Sequence, residues 1–432
     1  MKQFAMKPFR EPPHIRVSVP GSKSITNRAL MLAALAEGKS VLKGVLFSDD
    51  SRVFMEALET LGYEIEVKED KKEVAITGCG GKIPRDNVSV YVGSAGTAAR
   101  FLTAMLALSG GCYEVEASEQ MKKRPMRPLL EALEQMGVNF EYKEESYAFP
   151  FRICGKKETA SEEKVLLNID ESSQFLSALL LTGVLCKSER SILLTGKRDA
   201  KAYVRISMKM MEEFGGQMRQ LGENEYKLLP EYKYQGREYR IEPDVSAACY
   251  FYAMAAINGG TAVVNHVHFD STQGDIQFLR VLEQMGCRVA EEKEGICVTG
   301  PKEGNLHGIK VNMSDFSDQT MTLAAVAVFA DTTTEISGVE HIRRQESDRM
   351  EGIVRELRGR GISCEAEGGS ILIRPGHLTP GVMRTYEDHR MAMAFSVIGT
   401  KVPGIIIDNP LCCRKTFENY FNILTNLDLS LE

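Results

Sequence analysis

Lys23, Ser24 and Arg28 stand close together in GSKSITNR (21–28), at the point where the apolar run ALMLAALA begins. A helix starting near Lys23 puts Ser24 and Arg28, four residues apart, on one face. The first turn of a helix offers free N–H groups and the positive end of the dipole, so it suits phosphate or carboxylate. A serine cap would account for the hydroxyl, but not for a lysine and an arginine beside it. Further cations gather in QMKKRPMRP (120–128), KRDAKAY (197–203), RRQESDR (343–349) and CCRKTF (412–417). The formal net charge is −6, so these clusters stand out from an acidic background. They recur at matching positions of a repeat, which points to one anion site, shared between domains, for a ligand with several negative charges.

The elements that must position these residues follow one design. Six segments join a small polar cluster to an apolar stretch rich in Ala, Leu and Met, beginning at Gly21, Gly93, Asp170, Asp244, Asp315 and Glu387. They lie 72, 77, 74, 71 and 72 residues apart, and a sixth of the 432-residue chain is 72. Each predicts a helix followed by a strand-like run, such as SVLKGVLF, SILLTG, TAVVNHVHF or TTEISGV. Most then carry a second helix that stops at glycine: MEALETLG, LLEALEQMG, MKMMEEFG, LRVLEQMG and IVRELRGRG. Helix, strand, helix and strands, repeated six times, make an α/β protein with three units per domain. The crossing point is expected in IEPDV (241–245). The first strand, IRVSVP (15–20), precedes the first repeat helix; it belongs either with that helix or with the C-terminal domain, which would make the N-terminal domain an insertion.

Composition excludes several classes. With 43% hydrophobic and 26% charged residues the chain can build substantial cores and is not disordered. Its acidic balance argues against bulk binding of nucleic acid or anionic membranes. Residues 1–16 lack an apolar signal segment and no run approaches a membrane span, so a cytoplasmic location is expected. Ten cysteines without a C-x-x-C pair read as scattered thiols in a reducing compartment. GSKS lacks the upstream glycine and residue order of a P-loop, and GSAGTAAR lacks the dinucleotide fingerprint. His266 and His268 alternate along an expected strand, but no third metal ligand accompanies them.

Taken in order, PGSKSITNRA, SAGTAARFL, MKKRPM, ESSQFLSALL, SDQTMT, QESDR, YEDHRMAMAFS and CRKTF resemble the 5-enolpyruvylshikimate-3-phosphate synthase family across nearly the whole chain. The resemblance implies a two-domain fold of six βαβαββ units that opens and closes, with no metal or organic cofactor. We take the domains as 1–20 plus 242–432 and an inserted 21–241, with the active site in the cleft between them. The implied reaction moves the enolpyruvyl group of phosphoenolpyruvate onto shikimate 3-phosphate, in a monomer that needs no nucleic acid or membrane. Shikimate 3-phosphate binding carries over to Lys23, Ser24, Arg28, Ser172, Ser173, Gln174, Tyr203, Asp318, His341 and Gln345. Phosphoenolpyruvate binding carries over to Lys23, Gly96, Arg124, Gln174, Glu346, Arg349, Arg390 and Lys415. Ala200, His341 and Gln345 depart from the serine, asparagine and lysine common in the family. Phe101 departs from a frequent proline.

The residue types fit that chemistry. Addition needs a base for the attacking hydroxyl and an acid for the enol methylene; elimination then removes a proton from the new methyl group. Asp318 and Glu346 are both candidate bases, and Lys23 is a candidate acid. The guanidinium groups of Arg124, Arg349 and Arg390 suit carboxylate or phosphate oxygens. Glyphosate, the inhibitor characteristic of the family, is expected to share the phosphoenolpyruvate site beside Gly96. Two rival readings are weaker. The related transferase with a UDP-N-acetylglucosamine acceptor carries a reactive loop cysteine, but Cys112 in SGGCYEV reads as a strand residue. A non-catalytic repeat scaffold would need no lysine, aspartate and glutamate at non-equivalent positions of its repeats.

Overall fold

Every apolar segment becomes a helix that is buried on nearly all sides, because its small and branched side chains leave no polar face to keep in water. These six inner helices are α1 (Lys23–Leu35), α2 (Gly96–Ser109), α3 (Gln174–Leu181), α4 (Val245–Asn258), α5 (Thr320–Ala327) and α6 (His389–Gly399). In α4, every residue from Val245 to Ile257 is buried. The computed structural model describes residues 3–155, 164–197, 201–230, 232–302 and 305–429.

The sheets show how each helix is packed. Val88–Tyr91 runs parallel to Cys112–Glu116, with α2 as the crossover between them. Phe151–Cys154 pairs antiparallel on the far side and Asn139–Tyr142 closes the hairpin. Four other sheets repeat this order. The last has three strands: Gly381–Met383 lies parallel to Ile405–Ile407, and Phe4–Ala5 from the start of the chain completes it. The second helices end as their glycines require. Gly62, Gly137, Gly215, Gly286 and Gly361 have φ between 85° and 105°, a left-handed conformation that a side chain would strain.

Two strands change places. His14–Val17 comes just before α1 in sequence, yet it pairs with Thr261–Asn265, which follows α4. Glu238–Arg240 comes before α4, yet it pairs with Glu37–Lys43, which follows α1. The chain accordingly divides into one unit of Met1–Pro20 with Glu242–Glu432 and another of Gly21–Ile241. Each has its own apolar core, and the two cores share no residue.

Two sequence expectations are corrected. Cys112 and Cys154 form a disulfide, because strand register sets them directly opposite each other across Cys112–Glu116 and Phe151–Cys154. The other eight cysteines are free thiols. The strand expected to carry His266 and His268 ends at Asn265. His266 has φ 63° and the His268 ring bonds Glu291 at 2.8 Å, so the two do not alternate on one strand face. Among the described residues, no group of three or more His, Cys, Asp or Glu could hold a metal ion. Nor is any helix among them long and apolar enough to cross a membrane.

Candidate active site

In the Gly21–Ile241 unit, three inner helices start without a capping bond from the N-cap side chain. Ser22, Ala95 and Ser173 precede α1, α2 and α3, and none of the three makes one. The N-cap side chains therefore do not screen the positive field of these first turns, although Ser172 Oγ takes up the first N–H of α3 at Gln174. Lys23 opens α1, with Nζ 3.5 Å from the buried carboxylate of Asp50. Gly96 opens α2 directly against Arg124: a Cβ built on it would lie 2.7–2.8 Å from the guanidinium atoms. Arg124 Nη1 donates to the Ser94 carbonyl at 3.4 Å. Arg100, one turn into α2, donates to Gln174 Oε1 at 2.6 Å and to the Pro125 carbonyl at 3.0 Å. It thereby links Gln174 to the backbone next to Arg124.

Arg28 lies further along α1, four residues after Ser24. It is buried, and its guanidinium donates to Ser207 Oγ (2.8 Å), the Ser24 carbonyl (2.9 Å), Ser177 Oγ (3.2 Å) and the Tyr203 carbonyl (3.2 Å). Its Cζ also stands 5.4 Å from the centre of the Phe101 ring. Burial pushes its pKa down to about 10, so it stays charged at neutral pH. Ser24 and Tyr203 meet Arg28 through their carbonyls, and Ser172 Oγ accepts from the Gln174 N–H at 3.2 Å.

In the other unit, a dense ion network gathers at the starts of α5 and α6. Asp318 accepts from Arg349 Nη1 at 3.2 Å and from Arg390 Nη2 at 2.7 Å. Arg349 also donates to Glu346 Oε2 at 3.0 Å, to both oxygens of Asp388 at 2.8 and 3.2 Å, and to Gln345. Lys415 Nζ lies 3.7 Å from Glu346 Oε1. Asp388 caps α6 through the Arg390 N–H at 2.9 Å. His341 Nε2 meets Ser317 Oγ at 2.8 Å, next to Asp318. Burial alone would push the Arg349 guanidinium down, but Asp388, Glu346 and Asp318 together hold it above its ordinary value. Three cations and three carboxylates are thus interlocked.

The family model described as "EPSP synthase (3-phosphoshikimate 1-carboxyvinyltransferase)" matches residues 13–424. The chain belongs to the EPSP synthase family. A 3-phosphoshikimate 1-carboxyvinyltransferase of Nostoc sp. (strain PCC 7120 / SAG 25.82 / UTEX 2576) is 41% identical over 421 residues, 98% of each chain. The chloroplastic enzyme of that name from Arabidopsis thaliana is 36% identical, over 98% of this chain and 84% of its own. A solved structure of EPSP synthase from Acinetobacter baumannii superposes with a TM-score of 0.81 at 26% identity, covering 99% of this chain and 98% of that one.

For this member of the EPSP synthase family, the structure groups the expected residues into two sets. Lys23, Gly96, Arg124, Ser172, Ser173 and Gln174 lie at or beside the starts of α1–α3. Asp318, Gln345, Glu346, Arg349, Arg390 and Lys415 form the ion network, with His341 at its edge. Ala200 lies outside the described residues. Sequence reasoning passed over Asp50, Arg100 and Asp388. All three were visible as charged residues at or near the start of an apolar or capped helix, in SDD (48–50), GSAGTAAR and YEDHR. Their partners were not.

Proposed function

We infer that the chain transfers the enolpyruvyl group of phosphoenolpyruvate to the 5-hydroxyl of shikimate 3-phosphate. The hydroxyl loses a proton and its oxygen bonds the central carbon of phosphoenolpyruvate, while the methylene carbon gains a proton. The resulting tetrahedral intermediate then loses a proton from its methyl group as the C–O bond to phosphate breaks, restoring the double bond. The observation that carries this reading is the ion network of Asp318, Arg349, Arg390, Glu346 and Lys415: it sets two carboxylates against cations suited to a carboxylate and a phosphate. In our assignment Asp318 and Glu346 move protons, and Lys23 serves as acid and as the cation that both substrates share. Gly96, Arg124, Arg349, Arg390 and Lys415 hold phosphoenolpyruvate; Ser24, Ser172, Ser173, Gln174, Tyr203, His341 and Gln345 receive shikimate 3-phosphate, with Arg28 bracing that site. The enzyme works as a cytoplasmic monomer without cofactor or metal. Purified protein should release phosphate from phosphoenolpyruvate plus shikimate 3-phosphate in the absence of added metal. Release with UDP-N-acetylglucosamine instead would overturn the acceptor.

The same reading puts the active site in a cleft between the two units. A polyanion bound at Lys23 and the open helix starts of one unit would attract the arginines of the other and draw the two together. Small-angle scattering is therefore expected to show compaction with shikimate 3-phosphate, and more with a second anion. An unchanged radius of gyration at saturation would count against closure.

A further inference from the structure

Asp275 is a carboxylate that the proposed chemistry does not use. It lies in the 3-10 turn Gly274–Gln277 and is fully buried, 4% exposed. One of its oxygens, Oδ2, accepts from Ser246 Oγ in the first turn of α4. The other, Oδ1, has no hydrogen-bond partner among the described residues. The turn is clamped in place: Gln273, just ahead of it, accepts from the Val245 N–H at 3.1 Å and donates to the Pro243 carbonyl at 2.7 Å. It packs against α4, against the helix Phe278–Gln284 and against the turn Ser317–Gln319 that carries Asp318. The charged groups that act on Asp275 are Asp318, Arg390 and Asp244, and the Cys249 thiol lies 3.8 Å from its backbone carbonyl.

A buried carboxylate with one bare oxygen is costly, so the neutral acid is favoured. Burial, and next the charge of Asp318, push Asp275 up to about 7, against the pull of Arg390 and the Ser246 hydroxyl. The native chain thus holds this proton to about neutral pH, whereas the unfolded chain releases it near pH 4. The burial of Asp275 is tolerated best at low pH, and stability is lost as pH rises through about 7.

We propose that Asp275 is a positioning residue that acts through Asp318 and Arg390: neutral, it leaves the Arg390 charge to Asp318 and to the incoming anion. Ionised, it competes with Asp318 and with the incoming anion for the charge of Arg390, which weakens anion binding. The inference rests on the roles given above to those two residues.

The test compares pH profiles of kcat/KM for phosphoenolpyruvate in the native enzyme, Asp275→Asn and Ser246→Ala. Asparagine mimics the neutral acid, so the ratio of kcat/KM at pH 8.5 to that at pH 6.5 should be about threefold or more higher than in the native enzyme. Ser246→Ala removes a donor to the carboxylate, so its basic limb should move to higher pH. Asp275→Asn should also raise Tm more at pH 8 than at pH 5. Profiles that coincide in all three proteins overturn the inference, and so does a Tm difference independent of pH. If Asp275→Asn does not fold, the Ser246→Ala profile decides alone. Failure of the wider reading looks different, because Asp318→Asn would then keep its turnover.

Discussion

Asp318→Asn and Glu346→Gln are each expected to lower kcat by about 10²–10⁴-fold, the range for groups that transfer protons. Both substitutions keep shape and hydrogen-bonding capacity while removing the charge and the proton site. Asp318 bridges Arg349 and Arg390, and Glu346 bridges Arg349 and Lys415, so each change also loosens two cations. Arg349 keeps both bonds to Asp388, which should leave the fold intact. The expected pattern is therefore a large fall in kcat with a modest change in Tm. KM for phosphoenolpyruvate should hold or fall, since freed cations bind an anion more readily. Lys23→Ala should instead raise KM for both substrates as well as lowering kcat, because one ammonium is assigned to both. Near-normal turnover in both carboxylate variants would remove them from the chemistry.

Gly96→Ala should make the enzyme markedly resistant to glyphosate. The added methyl would lie 2.7–2.8 Å from three guanidinium atoms of Arg124, too close for contact. The end of a long side chain can move where backbone cannot, so the helix should survive and Arg124 should shift. Forcing one methyl into such a site costs about 1–3 kcal/mol, or roughly 5–150-fold in binding. Glyphosate is longer than phosphoenolpyruvate and should carry most of that loss. KM for phosphoenolpyruvate should also rise, through Arg124, while kcat is partly retained. Phe101, where the family often has proline, is fully buried next to Arg28, so it packs α2 against that residue of α1. Titration of both proteins with glyphosate against phosphoenolpyruvate checks this. Equal inhibition would mean that Gly96 does not limit the space available to the inhibitor.

Much of this architecture was legible in the chain, because its signals are local. Six apolar segments at near-constant spacing predicted six helices, and the strand after each followed from β-branched runs. Glycine after each second helix predicted a left-handed stop, which the φ values show. The segments that hold the candidate site were legible for a similar reason: a lysine or arginine at the mouth of an apolar helix is conspicuous wherever it occurs. What residues do for one another was not legible. Sequence could identify Arg28 as a cation, but not that its donors are spent on Ser207, Ser24, Ser177 and Tyr203.

The chain by itself thus determined the α/β class, the repeated helix–strand unit and the kinds of charge at each helix start, since period, turn chemistry and capping act within a few residues. Only the tertiary structure decided the exchange of His14–Val17 and Glu238–Arg240, the pairing of Cys112 with Cys154, the counter-charges Asp50 and Asp388, and the burial of Asp275. Each of these joins residues far apart in sequence, through strand register or through burial against another helix. A buried charge takes its partner from whatever the packed core brings within reach, and no local pattern records that choice.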